Sequence, residues 1–199
     1  MASDRIRALG VVASSSRGSR TKVLVDGILA GATRDGAAQS SVVLLADSPL
    51  EFADGTRAEE REGGTAALLE AVDAADVIVF GAPIYRASAP GAMKNLFDLL
   101  PRGGFDGNYQ ALRAKAVAVA ATGASDHHFL GLDSMAEILR GFFAAWVVPP
   151  GIYASHKEIS EGRLSAPLRD QAEATGRALI DLHRAIASSE AMQSVEPQI

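Results

Sequence analysis

The sequence predicts an α/β protein with a doubly wound, five-stranded parallel sheet that carries helices on both faces. Five short apolar segments alternate along the chain with five segments in which apolar residues recur at helical spacing. The strand segments are apolar almost throughout, as expected for strands that are covered on both sides. Right-handed crossovers leave two common strand orders, and in both of them ligands bind at the carboxyl ends of the strands.

The first half of the chain contains two strand–helix units. Their predicted bounds are a strand at Ile6–Ala13, a helix at Ser19–Thr33, a strand at Ser41–Leu45 and a helix at Thr65–Ala75. The polar residues 47–63 are predicted to form a loop.

The second half supplies three more strands. The predicted elements are a strand at Val77–Phe80, a helix at Gly91–Leu100, a strand at Ala116–Ala121, a helix at Asp126–Ala145, a strand at Trp146–Tyr153 interrupted at 149–151, and a helix at Ala166–Ala187. Pro83 is expected to end the third strand, because proline cannot continue a central ladder. We expect residues 1–187 to form one domain and 188–199 a flexible tail, since the tail has few apolar residues.

Composition excludes several classes of protein. With 199 residues, of which 48% are hydrophobic, the chain is long enough to bury a substantial core. A net charge of −5 argues against a nucleic-acid-binding face. The sequence has no cysteine, so disulfides and thiolate chemistry are absent. No apolar run is long enough for a membrane span and no signal-peptide pattern begins the chain, so a cytoplasmic protein is expected.

The first loop, residues 14–21, carries the clearest functional signal. It holds four serines, a threonine, one glycine and two arginines between a strand and a helix. Helix N-termini present unpaired N–H groups and the positive end of the helix dipole, which favours a phosphate. Neither Gly-x-Gly-x-x-Gly nor a Walker loop is present, so side-chain hydroxyls holding a monophosphate are predicted. The alternative is that Ser19 or Thr21 merely caps the helix.

Two further loops follow the third and fourth strands. In the second loop, residues 83–90, Tyr85 and Arg86 beside Pro83 could hold a flat ring and an anion, although an ordinary connector would look similar. The third loop, residues 122–128, is rich in small residues that let a ligand approach the backbone. Its paired histidines do not suit a metal, because neighbouring residues point apart; we expect one histidine to border the pocket.

With these loops, the chain resembles the NAD(P)H-dependent FMN reductase family of the flavodoxin-like fold over roughly residues 6–160. It is most similar to the branch that supplies reduced flavin to two-component monooxygenases. Three stretches carry the resemblance: Ala13-Ser-Ser-Ser-Arg-Gly-Ser-Arg-Thr21, Ala82-Pro-Ile-Tyr-Arg86 with Gly91-Ala-Met-Lys-Asn-Leu-Phe-Asp-Leu-Leu-Pro101, and Thr122-Gly-Ala-Ser125 with His128 and Asp133. Three departures are Ala13, where the family usually has glycine, the loop from Pro101 to Leu112, which is several residues longer than in related sequences, and Ser134, where that branch carries a tyrosine.

The resemblance implies a site and a set of cofactors, FMN and NAD(P)H. The residues implied to hold the FMN phosphate are Ser14, Arg17, Ser19, Arg20 and Thr21. Those implied to line the flavin ring are Pro83, Ile84, Tyr85 and Arg86, with Thr122, Gly123 and Ser125 at its other edge and His128 on the substrate side. A homodimer or homotetramer that uses the Gly91–Leu100 helix, including Lys94 and Asp98, is also implied.

The implied reaction is hydride transfer from the nicotinamide to FMN, for which the cofactors supply the chemistry and no catalytic side chain is required. Reduced flavin would then serve a monooxygenase. One alternative is a protein with tightly held FMN that reduces quinones, azo dyes or nitro compounds. Another is a non-enzymatic flavodoxin-like electron carrier. The choice of NADH or NADPH stays open, since Arg86 and Arg102 could meet a 2′-phosphate or be surface charges.

Overall fold

The computed structural model of the protein describes residues 5–16, 18–103 and 109–198. The strands are β1 (Ile6–Val12), β2 (Ala38–Leu44), β3 (Val77–Pro83), β4 (Ala116–Gly123), β5 (Trp146–Val147), β6 (Ile152–Ser155), β7 (Ile159–Ser160) and β8 (Arg163–Leu164). The α-helices are α1 (Arg20–Thr33), α2 (Gly63–Ala74), α3 (Gly91–Leu99), α4 (Gly131–Phe143), α5 (Ala166–Ala187) and α6 (Glu190–Gln193). Among the described residues, short 3-10 helices lie at Ala58–Glu60 and His128–Leu130.

The main sheet is parallel and doubly wound, as predicted. Its order is β2-β1-β3-β4-β5, with β6 also pairing with β4, and β7 and β8 form a separate antiparallel hairpin. The predicted fifth strand is therefore two short strands, which Pro149, Pro150 and Gly151 separate on the same edge of β4. Of the two common orders, the chain adopts the one in which β1 lies between β2 and β3.

Alternating strand residues fill two cores, one on each face of the sheet. Ile78 and Phe80 face the side covered by α2, α3 and α4, whereas Val77 and Val79 face α1 and α5. On the first side, the Phe80 and Phe97 rings meet edge to face with centroids 5.3 Å apart. Because both faces of β3 are covered by apolar side chains, the sequence of this strand is an uninterrupted hydrophobic run.

The third strand runs three residues further than predicted, through Pro83. Ile84 N donates to Thr122 O, and Ala13 N donates to Gly81 O, so alternate residues of β3 face β4 and β1. Pro83 therefore turns its missing N–H toward β1, whose strand has already ended at Val12. The proline therefore costs no ladder hydrogen bond there. The strand ends at Pro83 as predicted, although it runs past Phe80, its predicted last residue.

The helix predicted at Asp126–Ala145 is shorter in the structure. The α-helix proper, α4, begins at Gly131 and ends at Phe143, where Ala144 adopts a left-handed conformation. The 3-10 turn at His128–Leu130 precedes it, and residues 124–127 remain loop. Helix α5 at Ala166–Ala187 has the predicted bounds. Within the described residues, no helix combines the length and apolarity that crossing a bilayer requires.

Helix α1, which begins in the first loop, is held by unusually close packing against α5. A Cβ built on Gly176 would lie 2.0 Å from Ile28 O, and one built on Gly31 would lie 2.2 Å from Glu173 O. Glycine at both positions lets the two backbones touch. This contact fixes the direction from which the N-terminus of α1 meets the ends of the strands.

The long polar connection between β2 and α2 is organised around one arginine. The Arg61 side chain is only 5% exposed, and its guanidinium donates to the carboxylates of Glu51 and Asp54 and to the carbonyls of Phe52 and Thr56. The loop prediction for 47–63 is correct apart from the short 3-10 turn and the start of α2. The sequence did not predict that Arg61 would hold residues 51–56 in a fixed turn.

The C-terminal tail, predicted to be flexible, contains the short helix α6. Trp146 Nε1 donates to Met192 O over 3.2 Å, and Gln198 N donates to Gly141 O over 2.9 Å. Arg113 forms an ion pair with Glu196, with 2.7 Å between Nη2 and Oε1. The tail thus contacts the β5 edge and α4, while its mobility in solution stays a prediction.

Candidate functional site

A cleft of about 330 Å³ lies at the carboxyl ends of β1, β3 and β4, where the three loops meet. The predicted residues that line it are Ser14, Ser19, Arg20, Thr21, Pro83, Ile84, Tyr85, Thr122 and Gly123. Ser16, Gly18 and Ala124 also line it and were not predicted. Parallel strands end on the same side of a sheet, which is why loops far apart in sequence converge here.

The serines of the first loop keep their hydroxyl protons available. Ser14 Oγ accepts a hydrogen bond from Ser16 N over 3.2 Å, and Ser19 Oγ accepts one from Lys22 N over 3.4 Å. Both side chains are buried. Because each oxygen acts as an acceptor within the loop, its own O–H can still donate to a ligand. Ser19 is therefore the N-cap of α1, as the simpler alternative held, without losing its capacity to bind an anion.

Charge at this end of the cleft is positive. Among the described residues that line the cleft, Arg20 is the one that carries a charge, and its side chain is exposed. Arg20 is also the first residue of α1, whose first-turn N–H groups have no intrahelical acceptors. The donors here are serine hydroxyls, the Arg20 guanidinium and the N-terminus of α1. None of the described residues that line the cleft is a carboxylate. This donor set fits a phosphate monoester.

A buried hydrogen bond joins the first loop to the third. Thr21 Oγ1 lies 2.7 Å from Thr122 Oγ1, and Thr21 is 1% exposed. One hydroxyl of the pair donates to the other, so a single proton remains for any ligand. The first function of Thr21 is therefore to hold the two sides of the cleft together.

The second loop is a tight hairpin with strained backbone. Tyr85 and Ser88 exchange two backbone hydrogen bonds of 2.9 and 3.1 Å, and the two residues between them, Arg86 and Ala87, have φ of 54° and 62°. Two positive φ values in a two-residue turn are a geometry that asparagine and glycine usually supply. The hairpin presents Tyr85, a residue that is 53% exposed, at the cleft.

Ile84 anchors the base of this hairpin. It is buried, and a Cβ built on Gly131 would lie 2.6 Å from Ile84 Cδ1. Glycine at the start of α4 therefore makes room for the isoleucine. The second loop is thus fixed at Ile84 and exposed at Tyr85.

The third loop is held from the side of β6. Tyr153 Oη donates to Ser125 O, His156 Nδ1 lies 2.7 Å from Ala124 O, and Lys157 Nζ forms an ion pair of 2.8 Å with Asp126. The pKa of the Asp126 carboxyl is lowered, chiefly by the hydrogen bond from Lys157. A Cβ on Gly123 would lie 2.1 Å from Tyr153 Oη, so only glycine fits at this position.

Four predicted residues are not part of the described cleft lining. Arg17 lies outside the described residues. Arg86 is exposed on the hairpin, and Ser125 uses its carbonyl to accept from Tyr153. His128 is half-buried in the 3-10 turn before α4, and its Nδ1 is buried without a hydrogen-bond partner. For Arg86, Ser125 and His128, a direct contact with the flavin therefore stays a prediction from the resemblance.

Tyr153 and His156 were missed by the sequence reasoning. They follow Pro149 and Gly151, and only the pairing of Ala121 with Tyr153 across β4 and β6 brings them under the third loop. A signal was present in the alternation of Ile152, Tyr153 and Ala154, which predicts that Tyr153 lies on the opposite face of the strand from its two neighbours. Within the described part of the chain, no group of three or more His, Asp or Glu side chains could hold a metal ion.

The strand order, together with a hydroxyl-rich cleft at the ends of β1, β3 and β4, defines a flavodoxin-like α/β protein. Comparison with solved structures agrees. The fold matches the apo form of the NADH:FMN oxidoreductase EMOB with a TM-score of 0.74, at 23% identity and 94% coverage of both chains. It also matches a flavodoxin from the domain Archaea with a TM-score of 0.59 at 15% identity, over 90% of this chain and 99% of that one.

Sequence comparison then gives the family. The chain is 35% identical over 167 residues to the NADH-dependent FMN reductase SfnF of Pseudomonas fluorescens (strain Pf0-1), covering 82% of this chain and 86% of that protein. It is 34% identical over 145 residues to the NAD(P)H-dependent FAD/FMN reductase of Geobacillus thermodenitrificans (strain NG80-2), covering 72% and 75%.

The profile of the NADPH-dependent FMN reductase family matches residues 6–159, and the protein belongs to this family. It is accordingly a flavin reductase, an oxidoreductase that uses FMN and NAD(P)H. The resemblance seen in the sequence alone is confirmed.

Proposed function

We propose that this protein reduces FMN as a cosubstrate, releasing reduced flavin to a flavin-dependent monooxygenase. The observation that carries the proposal is the character of the phosphate end of the cleft. The hydrogen-bond donors that a phosphate needs are in place there, yet Gly18 and Arg20, which line this end of the cleft, are exposed. A ligand held at an exposed rim can leave after each turnover. The resemblance to the branch that serves two-component monooxygenases supports the same assignment.

In this proposal each loop has a separate task. Ser14, Ser19 and Arg20 bind the phosphate, helped by the N-terminus of α1. The second loop, through Pro83, Ile84 and Tyr85, and the third loop, through Thr122 and Gly123, bound the space for the ring. Tyr85 offers exposed aromatic surface on which a second flat ring can stack. When bound, the flavin supplies the acceptor for the hydride, so the chain needs no general base.

The proposal extends to the assembly. A homodimer or homotetramer that uses the Gly91–Leu100 segment is supported by a groove beside it of about 480 Å³, lined by Phe97, Leu100 and the half-exposed Phe142. Lys94 and Asp98, paired at 2.5 Å, lie on the same face of α3.

We place the enzyme in the cytoplasm, where reduced nicotinamide nucleotides are available, and take residues 1–187 as its FMN-binding domain.

The test is a spectral and kinetic titration of the purified protein. We expect reversible FMN binding and NAD(P)H oxidation that saturates as free FMN is added, with both nucleotides compared side by side. Tightly retained FMN, with a rate that depends on an added quinone but not on free FMN, would favour the prosthetic-group alternative. An absence of NAD(P)H oxidation under either condition would contradict both.

A further inference from the structure

A second cavity, of about 420 Å³, opens at the same edge of the sheet as the cleft. It lies where β1 and β2 end, beside the start of α3, and its described lining residues are Ala13, Ser14, Ser15, Leu45, Ala46, Pro49, Leu50, Ala92 and Asn95. Ser14 lines both the cleft and this second cavity. The start of the first loop therefore separates two neighbouring spaces at the edge where ligands of parallel sheets bind.

The outer wall of the second cavity comes from the loop between β2 and α2, which Arg61 holds in a fixed turn. Asn95 holds the same loop from α3, because its amide donates to Glu51 O over 2.8 Å and accepts from Ala53 N over 2.9 Å. Thr65 Oγ1 accepts from Glu51 N over 2.9 Å. Residues 49 and 50, which line the cavity, come directly before these anchor points. The cavity is thus formed without a ligand, as small-molecule sites usually are.

The lining of the second cavity is uncharged. None of its described lining residues is an acid or a base, whereas Arg20 lines the cleft. Pro49 and Leu50 offer apolar surface, and Ser15 and Asn95 offer hydrogen-bonding groups beside it. The volume lies within the range of about 300–1,000 Å³ that is typical of ligand pockets. This combination fits a flat heterocycle with an attached sugar and does not fit a phosphate group.

The nucleotide that the family uses has a part with this chemistry. NAD(P)H consists of a nicotinamide half and an adenosine half that a pyrophosphate joins, and only the nicotinamide has to reach the flavin. The adenosine half carries a purine and a ribose, which match apolar walls with a few polar groups. Because Ser14 lines both spaces, the two halves of one nucleotide can lie side by side at this edge of the sheet.

We propose that the second cavity binds the adenosine half of NADH and that its uncharged lining selects NADH over NADPH. The inference rests on the proposed function, because it takes FMN as the ligand of the cleft. NADPH differs by a 2′-phosphate on the adenosine ribose, and that phosphate meets no cation among the described lining residues. Arg86 and Arg102 do not line this cavity. A phosphate that loses water without gaining a partner weakens binding.

The test fills the second cavity from α3. Ala92 is exposed at the second position of that helix, so Ala92→Leu adds bulk to the cavity without entering the core. ADP-ribose, which is NADH without its nicotinamide ring, is titrated into the FMN-loaded protein by calorimetry. We expect its dissociation constant and the KM for NADH to rise at least tenfold in Ala92→Leu, while the dissociation constant of FMN changes less than twofold. Reduced nicotinamide mononucleotide, which lacks the adenosine half, should be oxidised equally fast by both proteins.

Ser15→Arg tests the selectivity from another wall. Ser15 is exposed and lines the second cavity but not the cleft. A guanidinium there supplies the missing cation, so the ratio of kcat/KM for NADPH to that for NADH should rise at least fivefold above its value in the wild type, which should prefer NADH. Ala30→Leu is the matched control, because it adds the same bulk to an exposed position of α1 that lines neither space. It should leave all of these constants unchanged.

The outcomes separate this inference from the proposed function. Unchanged binding of ADP-ribose in Ala92→Leu, equal losses with NADH and reduced nicotinamide mononucleotide, or a wild-type preference for NADPH would overturn the inference while leaving flavin reduction intact. Equal losses together with a changed oligomeric state of Ala92→Leu would assign the cavity to a second copy of the chain instead. If NADH oxidation does not respond to added free FMN, the cosubstrate function fails, whereas the binding of ADP-ribose is measured independently of it.

Discussion

The hydroxyls of Thr21 and Thr122 lie 2.7 Å apart in the interior, joining the start of α1 to the end of β4. The two residues are 101 positions apart in the chain, and both are buried. This one hydrogen bond connects the loop that would hold the phosphate to the loop that would hold the ring. The width of the cleft therefore depends on a contact that needs no ligand.

Removing both partners of this pair should destabilise the protein by less than the sum of the two single removals. Thr21→Val or Thr122→Val leaves the other hydroxyl buried without its partner, which costs about 1–3 kcal/mol. The double variant restores apolar complementarity, so its loss in the free energy of unfolding should be smaller than the sum of the two single losses. Denaturant unfolding of the four proteins measures the coupling, and strictly additive losses would show that the contact contributes nothing.

Arg20→Ala should weaken FMN binding far more than riboflavin binding, because only FMN carries the phosphate. Arg20 is exposed and has no ion pair among the described residues, so its removal should not disturb the fold. Loss of a charge-assisted hydrogen bond costs about 1.5–3 kcal/mol, or about tenfold or more in the dissociation constant. Fluorescence titration with the two flavins provides the comparison.

Lys22→Ala is the matched control for this experiment. Lys22 lies two residues further along α1, where its Nζ forms an exposed ion pair of 2.8 Å with Asp26. The Lys22→Ala substitution removes one positive charge from the same helix, as Arg20→Ala does, but Lys22 does not line the cleft. Equal losses for FMN and riboflavin in Arg20→Ala, or an FMN-selective loss in Lys22→Ala, would contradict phosphate recognition by the first loop. Ser19→Ala is less informative, since Ser19 also caps α1.

The convergence of the three loops could be predicted because it follows from the parallel sheet alone. Once the apolar runs ending near Ala13, Phe80 and Ala121 are recognised as strands, their carboxyl ends must share one edge. The resemblance to FMN reductases then implied which residues of these loops would hold a ligand, and their contacts with FMN stay a prediction. Ser14, Arg20 and Gly123 do line the cleft.

What could not be predicted depends on tertiary contacts. Pro83 extends β3 because β1 has already ended on that side, and local sequence carries no information about this. Arg61 stands in a polar stretch and would be expected at the surface, yet Glu51 and Asp54 converge on it and bury it. Tyr153 reaches the third loop only through the register of β6 on β4.

Ala87→Gly should stabilise the protein. Ala87 has a φ of 62° in the second loop, and a left-handed conformation costs an ordinary L-residue about 1–2 kcal/mol. Glycine removes this strain but loses about 0.5–1 kcal/mol through the greater freedom of the unfolded chain. The net gain in the free energy of unfolding should be about 0.5–1 kcal/mol, measured by chemical denaturation.

Ser88→Gly is the control for the hairpin. Ser88 is exposed in the same turn but does not have a positive φ, so glycine there should only destabilise. If Ala87→Gly destabilised the protein as much as Ser88→Gly, the strain at Ala87 would have no energetic consequence. Any change in FMN affinity of Ala87→Gly would show that the strained turn also positions Tyr85.

Asp54 should make stability depend on pH in the acid range. Hydrogen bonds from Thr56 and the Arg61 guanidinium lower the pKa of Asp54 from 3.8 to about 2. A depressed folded-state pKa gives stabilisation that is fully present above the unfolded value and is lost as pH falls toward the folded value. Asp54→Asn should therefore be less stable than wild type at pH 6, and the difference should narrow as the pH falls from about 4 toward 2.

Urea unfolding at a series of pH values measures this difference. Glu59→Gln is the control, because Glu59 is an exposed carboxylate in no ion pair of the described structure. Its difference from wild type should stay nearly constant over the same pH range. If the difference in the free energy of unfolding between Asp54→Asn and wild type did not change with pH, the contacts with Thr56 and Arg61 would not favour the charged carboxylate.

Removal of residues 189–199 should expose Trp146, the single tryptophan of the sequence. Met192 O accepts from Trp146 Nε1, and Gln198 N bonds Gly141 O, so the tail covers the β5 edge beside α4. The truncated protein should lose about 1–2 kcal/mol of stability through these hydrogen bonds, and its tryptophan emission should shift to longer wavelength. Ser189→Ala, which removes the cap of α6, should produce a smaller change in the same direction. Unchanged emission and unchanged stability after truncation would show instead that the tail is flexible, as its composition predicts.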